Sequence, residues 1–113
     1  MSERINKVNS LLEREIGQIL AKDFNFNGVL VTLTHVDTTA NLIEAKAYIS
    51  VFPEDKTDGA MVMLSKGVYD VQQKINKMLN MRPIPKIMFV KDEKIKEAAR
   101  VEELLEKLKN EEK

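Results

Sequence analysis

The hydrophobic positions along the chain follow a helical period in three segments and suit strands in three others. Apolar side chains recur every three or four residues through 2–22, as in an amphipathic helix with one buried face. Through 42–51 apolar and polar residues alternate, as in a strand with one covered face. In chain order, the pattern predicts a helix at 2–22, strands at 29–36 and 42–51, a long helix at about 56–81, a strand at 86–90 and a closing helix at about 92–109.

This order of elements predicts one α+β domain spanning residues 1–113, with its core in about 2–91. A single three-stranded sheet covered on one face by helices buries the apolar stripes together. The turn-forming residues 37–41 (DTTAN) predict a hairpin between the first two strands. The long helix then crosses over to the third strand, which we expect to lie beside the first strand.

One glycine, Gly67, lies inside the long predicted helix, where glycine costs about 1 kcal/mol relative to alanine. Apolar residues continue at helical spacing on both sides of it. Two explanations are open at this stage. The helix bends there to pack on a curved surface, or the absent side chain lets another backbone come close.

The composition predicts a soluble, cytoplasmic protein. We also expect the chain to be a monomer when free. Hydrophobic residues make up 43% of the chain and charged residues 32%, as in an ordinary globular domain. There is no cysteine, which excludes disulfide scaffolds and agrees with a reducing compartment. Charges spread through residues 1–20 argue against a signal peptide or a membrane span, so we expect no membrane partner.

The formal net charge is zero, but the charges are unevenly distributed. Residues 60–91 carry six basic side chains and one acidic side chain, a local charge of +5. Such a field favours an anionic partner, for example a nucleic-acid backbone. The candidate contacts to such a partner, which would be RNA contacts if that partner is RNA, are Lys66, Gly67, Lys74, Lys77, Arg82 and Lys86, with Arg4, Lys7 and Arg14 of the first helix as weaker candidates.

The lysines of the long helix are compatible with two interpretations. Lys66 and Lys77 are eleven residues apart, about three helical turns, so they share a face that can follow a phosphate backbone. A helix that restarts after Gly67 would also offer free N–H groups to a phosphate, although Asp70 would repel one placed there. Alternatively, the lysines only solvate the outer face of an amphipathic helix, and the sequence leaves this choice open.

No arrangement of residues predicts catalysis, a cofactor or a metal site. His35 is the only histidine, and no cysteine or paired acidic cluster accompanies it, so we interpret it as a structural or surface residue. No pair of carboxylates stands out as a general acid and base. The loop acids Glu54, Asp55 and Asp58 lack the terminal glutamate of a calcium loop. We therefore predict a binding protein and not an enzyme.

Several segments, taken together and in order, resemble the ribosome-binding factor A family. After a first helix the chain reads VTLTHV, NLIEAKAYISVF, SKGVY, LNMRPIPKIMFVKD and ARVEELL. No single segment is specific, but their combination covers nearly the whole chain. The resemblance implies a KH-like domain of the second type, with a helix–kink–helix in place of the usual glycine loop. The family's small-residue–x–glycine kink corresponds here to Ser65 and Gly67.

The resemblance also implies a function. The family binds the small (30S) ribosomal subunit during late maturation of its 16S rRNA, is linked to growth in the cold, and has no catalytic activity. The chain departs from the family before the first strand, where Phe24-Asn25-Phe26 replaces a frequent Asp-Pro-Arg, so no arginine contact carries over to this segment. We expect the two phenylalanines to pack back on the end of the first helix.

Two other functions are compatible with the residues. In one, the closing helix 92–109 presents its leucines to a protein partner, and the chain is an interaction module. In the other, the chain is a generic KH-like RNA-binding protein with no tie to the ribosome.

Overall fold

A computed structural model describes residues 2–93 of the chain. The predicted closing helix 92–109 lies outside these residues apart from its first two positions. Within 2–93, no helix is both long enough and apolar enough to cross a bilayer. The elements are α1 (Ser2–Asp23), β1 (Leu30–Thr38), β2 (Glu44–Phe52), a short 3-10 helix (Glu54–Lys56), α2 (Thr57–Met78) and β3 (Lys86–Lys91).

The predicted helices and strands are confirmed within this range, with small shifts at their ends. The largest shift is at the end of α2, which stops three residues earlier than the periodicity predicts. Leu79 leaves the helix with φ −87° and ψ 130°, an extended conformation. Its side chain is nevertheless buried, so the apolar stripe continues after the helical backbone has ended.

The strands form one sheet in the order β1-β2-β3. β1 and β2 pair antiparallel as the predicted hairpin, and β3 pairs parallel to β2. The expectation that the third strand lies beside the first is therefore wrong. β2, α2 and β3 form a β-α-β unit, and parallel strands joined by one crossover helix are commonly neighbours.

Side chains of α1 contact the outer edge of β1, the edge that β2 does not pair with. Asn9 Oδ1 accepts a hydrogen bond of 3.0 Å from the Thr38 backbone N–H. Glu13 Oε1 accepts one, also 3.0 Å long, from the backbone N–H of Val36. Because an edge strand otherwise exposes unpaired N–H groups, these helix side chains satisfy part of that edge.

The core lies between the sheet and both described helices. Ala45 and Ala47 of the central strand are fully buried, and their small side chains let the helices approach the sheet closely. The helices thus cover one face of the sheet, as predicted. The buried cluster includes Val8, Leu12, Ile16, Ile19, Leu20, Val36, Leu42, Ala45, Ala47, Ile49, Leu64, Val71, Ile75, Leu79 and Ile87.

Candidate nucleic-acid interface

Two of the predicted contacts, Lys66 and Lys77, lie together on one exposed face of α2. Eleven residues place them about 20° apart around the helix axis. Ala60, Leu64, Val71 and Ile75 form the opposite, buried side. Within residues 2–93, neither lysine has a carboxylate at ion-pair distance. Their charges are therefore available to an external anion.

Asp70 lies on the same exposed face, about 40° around the helix from Lys66. Its carboxylate reduces the positive field between the two lysines, and it would repel a phosphate placed directly above it. A nucleic-acid backbone that follows this face therefore has to place its phosphates toward Lys66 and Lys77 at either end.

Lys74 is turned away from that face toward α1. It lies about 60° from Lys77 around the helix axis, and its ammonium group pairs with the Asp23 carboxylate at the end of α1. Both side chains are partly exposed, so solvent screens this pair. Lys74 stays a predicted contact, but its charge is shared with Asp23.

Lys86 lies on the other side of α2, next to the sheet. It begins β3, faces Glu44 in the β2–β3 register, and donates its backbone N–H to Ile43 O at 2.8 Å. The preceding residue, Pro85, is held to α2 by Gln72, whose side chain is about 140° from Lys77 around the axis. The helix and strand therefore do not form one continuous basic row.

Arg82 is exposed in the connection between α2 and β3. The weaker candidates on α1 are also exposed, and Arg14 is paired with its neighbour Glu15 at 3.1 Å. Among residues 2–93, no carboxylate lies within ion-pair distance of Arg82 or Lys86. The predicted basic residues are thus accessible but divided among several sides of the molecule.

Gly67 has a different environment from the one that the sequence predicted. α2 is continuous from Thr57 to Met78, so the two helices expected on either side of Gly67 are one helix. The free N–H groups of a restarting helix are therefore absent at this position. A bend at Ser65–Gly67 within the continuous helix stays a prediction.

The close neighbour of Gly67 is an aromatic side chain and not a backbone. A Cβ built on Gly67 would lie 2.6 Å from Cζ and 2.8 Å from Cε1 of Phe24. The Phe24 ring also stacks on Phe26, with centroids 5.6 Å apart and planes 4° apart. The missing side chain of Gly67 thus makes the space that Phe24 fills.

Sequence reasoning missed Asp23 and did not place Phe24 against α2. Both phenylalanines are partly buried against the core, and Phe24 also reaches the middle of α2. A glycine in a good helix signals that a bulky group comes close, but it does not say which one. Only the fold brings Asp23 and Phe24 to α2.

Residues 2–93 contain no group of three or more His, Asp or Glu side chains arranged to hold a metal ion. His35 lies on β1, where it stacks on Tyr48 and contacts the hydroxyl group of Thr34.

The comparisons with known proteins agree on one family. The profile of the family described as "Ribosome-binding factor A" matches residues 4–105. A ribosome-binding factor A from Chlorobium luteolum is 36% identical over 108 residues, which cover 93% of this chain and 91% of that protein.

Solved structures show the same fold. The crystal structure of ribosome-binding factor A from Thermus thermophilus matches with a TM-score of 0.67 at 18% identity, over 77% of this chain and 93% of that one. A homology model of the Thermus thermophilus protein, fitted into the cryo-EM map of a complex of the 30S subunit with ribosome-binding factor A, matches with a TM-score of 0.64 at 19% identity, over 74% of this chain and 90% of that one. The fold is KH-like, as the sequence predicted.

Proposed function

Because the chain belongs to the ribosome-binding factor A family, we propose that it binds the small (30S) ribosomal subunit and assists late maturation of its 16S rRNA. The match over residues 4–105 is the observation that carries the proposal. The fitted 30S complex of the Thermus thermophilus protein supports the choice of partner. In the same proposal the protein acts in the cytoplasm, is a monomer when free and catalyses no reaction. It also contributes to growth at low temperature.

The exposed face of α2 supports docking by electrostatic attraction. Lys66 and Lys77 have no carboxylate partner within residues 2–93. Each lysine that neutralises an rRNA phosphate releases condensed counterions, so binding must weaken as salt rises. In this proposal Arg82, Lys74 and Lys86 extend the contact to neighbouring sides of the domain. Held in this way, the protein stabilises one local conformation of the rRNA while the subunit matures.

Co-sedimentation with small subunits at increasing salt concentration tests the proposal. Each phosphate contact contributes about 0.7–0.9 to the slope of log affinity against log salt concentration. We expect the combined variant Lys66→Ala, Lys77→Ala and Arg82→Ala to lower the affinity and to reduce this slope by about 2–3 units.

Lys56→Ala is the matched control, because Lys56 is an exposed lysine outside the basic segment. It should leave affinity and slope nearly unchanged. If the combined variant keeps both the affinity and the slope of the natural chain, the docking surface lies elsewhere. If the natural chain does not sediment with small subunits at any salt concentration, the proposed partner is wrong.

A further inference from the structure

A parallel pair of rings stands on the face of the sheet opposite the two described helices. His35 and Tyr48 are register partners on β1 and β2, with ring centroids 4.3 Å apart and planes 11° apart. Their neighbours Val36, Ala47 and Ile49 point into the core. Since side chains alternate along a strand, the two rings point away from α1 and α2.

The His35 ring is supported by a polar cluster below it. The β1–β2 register shifts between Leu33 and His35, and the irregularity contains Thr34. Thr34 Oγ1 lies 2.6 Å from Asp92 Oδ2, 3.1 Å from His35 Nδ1 and 3.3 Å from Tyr48 O. The Asp92 side chain is 5% exposed, so its carboxylate is shielded from solvent where it meets Thr34.

The Thr34 hydroxyl group has one hydrogen, and the acceptor of that hydrogen decides which of these contacts Thr34 donates to and which it accepts. A hydroxyl group donates once, and the short bond to the Asp92 carboxylate is the strongest use of that hydrogen. Thr34 Oγ1 then accepts from His35 Nδ1–H, and Asp92 Oδ2 also lies 3.7 Å from Nδ1, so the Nε2 edge of the ring points away from this cluster. The ring is 45% exposed although its orientation is held, so little conformational freedom remains to be lost on binding.

A planar ligand suits this arrangement, since it can stack on the two rings and form a hydrogen bond with Nε2 at the edge of the His35 ring. Unpaired nucleobases have these properties: they stack on aromatic side chains and carry N–H groups on their edges. Lys46 is exposed on the same face, two residues from Tyr48 along β2, where it can meet the adjoining phosphate.

A second exposed aromatic residue lies on this face, beside the exposed Leu30 that is its register partner on β1. Phe52, 71% exposed, lies on the same strand and face as Tyr48, about 13 Å farther along. Thr32 and Ser50, a register pair on β1 and β2, separate the two aromatic positions. Two aromatic positions with polar residues between them can take successive bases of one strand.

We propose that the stacked pair of His35 and Tyr48, supported by Thr34 and Asp92, is a second RNA site that takes an unpaired base of single-stranded RNA. The inference rests on the proposed function for the identity of the macromolecule as rRNA. It is separate from the basic face of α2, and its main contact is the stacking of a base on the two rings, with Lys46 beside it for the adjoining phosphate.

Tyrosine fluorescence gives a direct test, because the chain has two tyrosines and no tryptophan. In Tyr69→Phe, Tyr48 is the only strong fluorophore; in Tyr48→Phe, it is Tyr69. Each variant is titrated with a single-stranded oligouridine of about ten nucleotides, and occupancy is followed by the anisotropy of a dye on the RNA. We expect the emission of Tyr48 to be quenched at saturation and that of Tyr69 to change little.

Binding to small subunits provides the second readout. One base stacked on an aromatic side chain contributes enough that Tyr48→Leu should weaken binding roughly 5- to 100-fold, and His35→Ala should also weaken it. The salt slope should stay unchanged, because no charge is removed from a phosphate contact. Tyr69→Leu, at a tyrosine that is 69% exposed on α2, is the matched control and should bind normally.

The outcomes separate this inference from the proposed function. Normal subunit binding by Tyr48→Leu and His35→Ala overturns the second site, while the effect of the α2 lysines on the salt slope still stands. Unquenched Tyr48 emission at saturating RNA also overturns it, even where Tyr48→Leu fails to fold. If the oligouridine does not bind at concentrations up to millimolar, that result also overturns a site for unpaired bases. Quenching together with weakened subunit binding at unchanged slope supports it.

Discussion

At the scale of single residues, the contact between Phe24 and Gly67 decides which side chains can replace either residue without loss of stability. The two atoms of Phe24 that a Gly67 Cβ would meet are at the far end of the ring, so the ring has to swing away while the backbone stays. Phe24 is partly buried against the core and stacked on Phe26, so this movement gives up packing. Gly67 is thus retained despite its low helix propensity because Phe24 needs the space.

Gly67→Ala should destabilise the protein by up to about 2 kcal/mol. The gain in helix propensity is about 1 kcal/mol, whereas overpacking at a close contact costs about 1–3 kcal/mol. Gly17→Ala is the matched control, because a Cβ there has no neighbour within 4 Å. It should stabilise the protein by about 0.5–1 kcal/mol. Urea unfolding monitored by circular dichroism measures both changes.

The sign of the Gly67→Ala effect should reverse in a Phe24→Ala background. Without the ring, only the helix-propensity gain of about 1 kcal/mol is left. A double-mutant cycle with no coupling between the two positions would show that Phe24 is not the reason for the glycine.

At the scale of elements, helix side chains complete both outer strands of the sheet. Gln72 of α2 meets β3 with both ends of its amide group: Nε2–H donates to Pro85 O at 3.1 Å, and Oε1 accepts from Ile87 N–H at 2.8 Å. On the other side of the sheet, Glu13 and Asn9 of α1 accept hydrogen bonds from backbone N–H groups of β1. The helices therefore hydrogen-bond to the two outer strands of the sheet in addition to covering one of its faces.

Gln72→Ala should destabilise the protein by about 1–3 kcal/mol, because it leaves the Ile87 N–H and the Pro85 carbonyl without their side-chain partner. The Ile87 amide should also exchange its hydrogen faster. Asn76→Ala is the control, since Asn76 is exposed and touches this network only through Gln72. Equal losses of stability for the two variants would contradict the assigned role of Gln72.

The pair formed by Asp23 and Lys74 joins the end of α1 to α2 and reduces the charge offered by α2. Asp23→Asn should release the ammonium group, raise the affinity for small subunits, and increase the salt slope by about 0.7–0.9 if Lys74 then meets a phosphate. Asp55→Asn removes the same charge from an exposed position elsewhere and controls for net charge. An identical gain from both variants would indicate a general charge effect and not the release of Lys74.

At the scale of the whole molecule, a core already forms among elements within residues 2–93. We expect a chain ending at Glu93 to unfold cooperatively in urea, because α1, α2 and all three strands contribute to that core. It should also keep its affinity for small subunits, since the basic face of α2 and the pair of His35 and Tyr48 lie within this range. A folded but non-binding chain would instead favour an interaction module that uses residues after 93.

Much of the architecture was predictable because periodicity is a local property of the sequence. The alternation in 42–51 and the spacing in 2–22 identify a strand and a helix and their buried faces before any contact is known. The single α+β domain follows from how those faces can be buried together. The family resemblance rests on motifs read in order along the chain, so it too was accessible from the sequence.

The tertiary structure decided which distant residues meet. Lys74 and Asp23 are 51 residues apart, and Thr34 and Asp92 are 58 apart, so no local pattern connects them. The order β1-β2-β3 and the contact of Phe24 with Gly67 likewise join parts of the chain that no local pattern connects. The sequence by itself determined the elements, their inward faces and the family. Only packing decided their neighbours, because long-range contacts are selected by shape and hydrogen-bonding complementarity across the whole fold.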